Sequence, residues 1–252
     1  QINNQLKVSN ENLSQFAAIA AHDLKAPLRT ITSFSKILLR KYKEKINASD
    51  AELFNFIIND AQSLKEMIDG LLEYSRISNE NLKLTAVSLE NIIFMSVSKL
   101  KASIREKSAE IIVPDNFPMV KGHATLVEQV ILNLVNNSLK FMPENVCPVI
   151  KIACKEYYEN YVLISVEDNG IGIDKKYHDT IFNIFRKLHS KGEYKGNGIG
   201  LSTCKKIVES CSGTMWLESE LGKGTTFFFT LQKENLNTYQ KNEKYKAYRI
   251  FK

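Results

Sequence analysis

The chain has 252 residues and a mass of 28.7 kDa, with 44% hydrophobic and 25% charged residues and a formal net charge of +6. That is room for one large domain or two small ones at about 100–200 residues each, and the near-average composition excludes collagen, low-complexity disorder and a disulfide scaffold. No run of about 18 apolar residues is present to span a bilayer, nothing reads as a secretory signal, and Cys147, Cys154, Cys204 and Cys211 lack any CxxC or zinc-ligand spacing, so a cytoplasmic portion with reduced thiols is expected.

In chain order, apolar residues first recur at Leu13, Phe16, Ala20, Leu24, Leu28, Ile31, Phe34 and Leu38. Steps of three and four predict a long amphipathic helix, with Ala20 and Leu24 in its buried seam. The spacing extends back through Ile2 and Leu6, so residues 1–14 are expected to be the end of a signalling helix continuing from an upstream sensor. The pattern fades over residues 41–45, and Ser49-Asp50-Ala51-Glu52 reads as a capping box opening a second helix. Leu53, Ile57, Ala61, Leu64, Ile68 and Leu71 form its stripe. The two helices make an antiparallel hairpin, which cannot cover both stripes alone. Two chains pairing into a four-helix bundle can, so a homodimer through residues 10–78 is expected.

Beyond residue 80 short β-rich runs alternate with helical ones. Helices are predicted over residues 88–107, 126–141 and 201–211, the last ended by Gly213, and strands over residues 110–113, 149–154, 161–166, 214–218 and 225–231. This order predicts an α/β sandwich. The expected domains are 1–80, 81–232 and a polar, basic tail at 233–252. Residues 232–252 carry five lysines and one arginine against two glutamates. The rest of the chain is too nearly neutral for a nucleic-acid groove, and no nucleic-acid partner is expected.

His22 falls on the side of the first helix opposite Ala20 and Leu24, since each residue advances about 100°. A solvent-facing position follows, with Lys25 and Arg29 on the same side and Asp23 adjacent. A carboxylate can hold one imidazole nitrogen and leave the other as a nucleophile. Pro27 loosens the turn that carries His22, because it removes the backbone bond to residue 23. The run His22-Asp23-Leu24-Lys25-Ala26-Pro27-Leu28-Arg29 resembles the H-box of two-component sensor histidine kinases, particularly the phytochrome-like branch. The resemblance implies that His22 is the phospho-acceptor and Asp23 its base.

Asn133, Asn137 and Lys140 stand at i, i+4 and i+7, one face of a helix. By spacing alone this could be a plain polar stripe. The run Asn133-Leu134-Val135-Asn136-Asn137-Ser138-Leu139-Lys140-Phe141 resembles the family's N-box. That implies Mg²⁺ coordination by Asn137 with help from Asn133, and a phosphate contact from Lys140. Asp168-Asn169-Gly170-Ile171-Gly172 after a strand is a tight turn by itself. It resembles the G1 box, in which Asp168 meets the adenine amino group and Gly170 and Gly172 line the nucleotide. Gly196-Asn197-Gly198-Ile199-Gly200-Leu201 opens a helix whose amides can cradle phosphate, and it resembles the G2 box. Gly222-Lys223-Gly224-Thr225 resembles the G3 box, and residues 181–189, with Lys187 toward phosphate, resemble the F-box and the start of an ATP lid.

Six motifs in family order imply a fold of an α-helical dimerisation and phosphotransfer hairpin followed by an α/β sandwich ATP-binding domain of the GHKL type. They imply ATP and Mg as cofactors and a response-regulator receiver as partner. GHKL hydrolases share the second fold but usually carry a Glu four residues before the metal-binding Asn. That position is Asn133 here, and an amide cannot activate water. A pseudokinase scaffold is expected to lack His22, Asn137 or Asp168, and all three are present. His123, where relatives usually carry Asp, reads as structural.

Overall fold

The structure, a computed structural model, describes residues 2–43, 45–79, 83–114, 117–158, 160–188 and 196–234; the side chains of residues 2–18, 20, 22, 78 and 79 lie outside the description. Of the basic tail expected at 233–252, residues 235–252 lie outside it too. Two compact units are present: Gln1–Asn81 with Ile184–Thr203, and Leu82–Asn183 with Cys204–Lys252.

In the first unit, the glycine-free opening stretch folds as α1 (Ile2–Lys41), with Pro27 inside it, and α2 (Ala48–Asn79) returns beside it. The helices meet through Ala21, Leu28, Ala61 and Ile68, all buried, with Leu72 packed against them. Lys25 Nζ bonds Asp69 Oδ1 at 2.6 Å across the pair, so Lys25 serves the hairpin itself. The cap of α2 differs from the expected one. Asn47 Oδ1 accepts from the Asp50 amide at 2.8 Å and Asn47 Nδ2 donates to Asp50 Oδ2 at 3.0 Å, so the reciprocal cap starts two residues earlier than Ser49. The predicted seam differs as well. Leu24 is 52% exposed and Ile31, Phe34 and Leu38 are exposed too, while Ala21 and Leu28 face α2.

In the second unit seven strands form one mixed sheet: β1 (Thr85–Ser88), β2 (Glu110–Ile112), β3 (Met119–Gly122), β4 (Val149–Tyr157), β5 (Tyr161–Asp168), β6 (Met215–Glu220) and β7 (Gly224–Lys233). Their order is β1-β3-β7-β5-β4-β2, and β6 pairs with β7. Among the described residues only β2 and β4 pair in parallel. The long β7 pairs with β5 along one edge, from Thr225 opposite Asp168 to Gln232 opposite Tyr161, and shares its other edge between β6 and β3. Strands β1 and β3 were not among the predicted elements; at four residues each, with alternating burial, they carry too little pattern to stand out.

Helices α3 (Leu89–Lys99), α4 (Lys101–Glu106), α5 (Ala124–Lys140) and α6 (Gly200–Ser210) complete the elements. Residues 88–107 were expected as one helix. They break at Leu100, which leaves helical geometry at φ −93, ψ 5 and caps both pieces; α3 buries Leu89, Ile92, Ile93 and Val97, whereas α4 buries no residue. Lys107 then donates from Nζ to the Leu139 carbonyl at 2.6 Å, satisfying a carbonyl in the last turn of α5. The core of this unit sets Leu134, Leu139 and Ile131 of α5 among Ile150, Ile152, Ile164 and Phe229 of the sheet, each 1% exposed or less. The four cysteines are free, Cys204 and Cys211 buried, and burial pushes the Cys211 thiol up. Among the described residues no helix is long and apolar enough to cross a membrane.

His123 occupies the N-cap position of α5 and makes no side-chain cap bond, and its Nδ1 is buried without a hydrogen-bond partner. An aspartate there could accept from the first-turn amides. His123→Asp is expected to raise stability by about 1 kcal/mol, read as a higher urea midpoint with an unchanged slope.

Candidate functional site: a nucleotide pocket frame and a histidine-bearing helix

Three of the predicted site residues of the second unit, Asp168, Gly170 and Thr225, meet at the end of β5. Asp168 is its last residue. The carboxylate Oδ1 accepts from the Gly170 amide at 2.9 Å and the Thr225 amide at 3.2 Å, and Ser138 Oγ lies 2.9 Å from Oδ2. Burial pushes the Asp168 carboxyl up, the neighbouring Glu167 carboxylate adds a little, and the three hydrogen bonds pull it back down. The sign for stability follows. A raised carboxyl favours the folded state most below the ordinary carboxylate range, and this contribution is lost as pH rises through the folded value. An ionised Asp168 therefore costs the fold stability.

Backbone bonds stitch the motifs together. The Ile171 amide donates to the Phe141 carbonyl at 3.0 Å, tying the loop after β5 to the end of α5, and the Gly222 amide donates to the Ile171 carbonyl at 2.8 Å. Ser219 accepts from the Ile173 amide at 2.8 Å, donates to the Gly224 carbonyl at 2.8 Å, and lies 2.9 Å from the Thr225 hydroxyl. Asn169 accepts from the Val149 amide and donates to the Cys147 carbonyl, at 2.8 and 3.1 Å, anchoring the loop before β4. Gly172 has φ +70, and a Cβ there would sit 2.1 Å from the Glu220 carbonyl oxygen. Its glycine is required by the protein's own backbone, where the sequence suggested approach to a ligand.

Asn133, Asn137 and Lys140 lie on α5, each half-buried, and the Lys140 ammonium sits 4.4 Å from the Phe141 ring centroid. Lys187, Gly196, Gly198, Gly200 and Leu201 fall in the 184–203 segment of the first unit. Gly198 has φ +73, and a Cβ would press to 2.9 Å on the Arg186 carbonyl oxygen. The Asn197 side chain accepts from the Ile199 amide at 3.2 Å and donates to the Glu66 carbonyl at 3.1 Å.

His22 belongs to the interior of α1, next to buried Ala21 and exposed Asp23, with Pro27 five residues on. The orientation expected for the imidazole concerns a side chain outside the description.

Two families match in series. Residues 12–80 match the His Kinase A (phospho-acceptor) domain, and residues 122–235 match the histidine kinase-, DNA gyrase B- and HSP90-like ATPase domain. The chain belongs to the sensor histidine kinases.

This kinase core is 36% identical over 231 residues to cyanobacterial phytochrome A of Nostoc sp., covering 92% of the chain and 30% of that relative. It thus spans under a third of that protein's length. Among solved structures it is similar to full-length ShkA in complex with AMPPNP, with TM-score 0.66, 20% identity, and 87% and 46% of the two chains covered. It is also similar to histidine kinase ThkA in complex with the response regulator protein TrrA, with TM-score 0.62, 27% identity, and 89% and 64% covered. The helical hairpin and the mixed α/β sheet unit are the fold expected of such a core, a phospho-acceptor domain followed by an ATPase-type domain.

Ser138, Asn169 and Ser219 are not singled out by the sequence, although each holds part of the frame around Asp168 and the loop after it. Ser138 and Asn169 stood inside recognised motifs, and their polarity within buried surroundings was the available signal. Ser219 sits in a strand outside every motif and carried none.

Proposed function

We propose that this core transfers the γ-phosphoryl group of Mg-ATP to a ring nitrogen of His22, and then to an aspartate of a response-regulator receiver. The observation that supports it best is the convergence of α5, the loop after β5 and the start of β7 around Asp168, in the same chain as a phospho-acceptor hairpin. In this reading Asp168 accepts from the adenine amino group. Lys140 meets a phosphate oxygen, and the 222–225 segment, with Thr225, borders the nucleotide.

The donor set suits magnesium. Asn137 and Asn133 offer amide oxygens on one face of α5. Amide oxygens are hard ligands, and magnesium keeps phosphate oxygens and waters beside the few that a protein supplies. When bound, it neutralises charge on the phosphates.

In the first transfer a lone pair of the His22 imidazole forms the N–P bond as the bond from γ-phosphorus to the β–γ bridging oxygen breaks, and ADP leaves with that electron pair. Asp23 holds the proton on the other ring nitrogen, so the attacking nitrogen is the unprotonated one. The remaining contribution is positioning. The second transfer returns the imidazole as the N–P bond breaks and an aspartyl phosphate forms. Asn133 in place of a basic carboxylate leaves water unactivated, which favours phosphotransfer over hydrolysis.

Asn137→Ala is expected to abolish autophosphorylation and to remove the magnesium dependence of ATP affinity in calorimetric titrations with and without the ion. An unaltered magnesium dependence would sink the assignment of Asn137.

A further inference from the structure

Ser138 is 1% exposed, in α5 between Asn137 and Leu139. Its Oγ lies 2.9 Å from Asp168 Oδ2 and 3.1 Å from the Leu134 carbonyl oxygen. A hydroxyl has one proton and can serve only one of these acceptors. An ionised carboxylate is the stronger acceptor, so the proton goes to Asp168. With Oδ1 held by the Gly170 and Thr225 amides, three donors from three separate elements fix the carboxylate. An ionised carboxylate offers about four lone-pair sites, so one acceptor site remains.

We propose that Ser138 is a positioning and specificity-determining residue of the nucleotide site: by holding Oδ2 it keeps Asp168 a pure acceptor, which selects a purine bearing an amino group at C6 over one bearing a carbonyl there. The inference rests on the reading that Asp168 faces the base. A neutral carboxyl would carry a proton able to donate to a carbonyl such as guanine O6, and so would blur the choice. Burial already pushes Asp168 toward that neutral form, and the Glu167 carboxylate pushes the same way from β5. Against them stand the Ser138 hydroxyl from α5, the Gly170 amide from the following loop and the Thr225 amide from β7. Ser138 is the only side chain among these three opposing donors.

The test measures ATP and GTP affinity by displacement of a fluorescent nucleotide, on the full chain, at neutral and mildly acidic pH. Ser138→Ala replaces the hydroxyl with the best helix former, so folding is retained. It is expected to lower the ratio of ATP to GTP affinity about tenfold, or ~1.4 kcal/mol, and to move the acid limb of ATP binding to higher pH. A purely structural role would weaken both nucleotides alike and leave the acid limb in place; that result overturns the proposal. Asp168→Asn separates the two levels. A ratio that collapses in Asp168→Asn but is unmoved in Ser138→Ala refutes the role of Ser138 alone. A ratio unmoved in both refutes the reading of Asp168 beneath it as well.

Discussion

Glutamine in place of His22 is expected to leave the chain folded and able to bind ATP, and to bring γ-phosphate incorporation down to background. The reason lies in separate chemistry on separate parts of the sequence. The hydrogen bonds that frame Asp168 come from Ser138, Gly170 and Thr225, and none of them involves α1. Nucleotide affinity therefore has no dependence on an imidazole at position 22. Glutamine is polar, of similar length and a good helix former, so α1 tolerates it. Its amide nitrogen is not nucleophilic, because its lone pair is delocalised into the carbonyl. Radiolabelled ATP with acid and alkali lability of the product reads the outcome. Acid-labile, alkali-stable phosphate on the variant, at the wild-type level, would mean that another histidine is the acceptor. His123 would be the least suited, since its Nδ1 is buried at the start of α5.

How far the sequence speaks can be followed residue by residue. The hairpin is legible because three- and four-residue apolar steps persist along both helices. Which of those positions face the partner helix is not legible, because the stripe is wider than one seam. Leu24 fits the spacing as well as Leu28 does, yet Leu28 is buried against α2 and Leu24 is exposed. The cap of α2 was misplaced because Ser49-Asp50-Ala51-Glu52 satisfies the capping pattern, while Asn47 satisfies it with a real partner in Asp50. In the second unit the Gly-rich loops announced themselves. Their reason did not, for Gly172 is demanded by a carbonyl in β6, about 50 residues away in sequence, and no local pattern encodes that contact. The serines at 138 and 219 were hidden for the same reason, since a hydroxyl shows its use only when its acceptor is in view.

The exposed apolar stripe carries the other large effect. Phe34 of α1 is 61% exposed and Phe56 of α2 65%, and Leu53, Ile57 and Leu64 are exposed with Phe56 along α2. Soluble chains rarely leave so long a contiguous stripe in water. We propose that a second copy covers it, giving four helices around one seam. The hairpin's own core supports this, because Ala21, Leu28, Ala61 and Ile68 are already consumed between α1 and α2, and the outer stripe stays exposed among the described residues. Each large side chain buried there contributes about 1.5–3 kcal/mol, so glutamate at both Ile57 and Leu64 removes several such contributions from a symmetric dimer. It also places carboxylates where they lose water without gaining a partner, at a further cost of several kcal/mol. The double variant is expected to be a folded monomer by light scattering at micromolar concentration, with ATP affinity unchanged and autophosphorylation reduced at least tenfold. A wild-type chain that is itself monomeric under the same conditions would refute the assembly, as would a double variant that still sediments as a dimer.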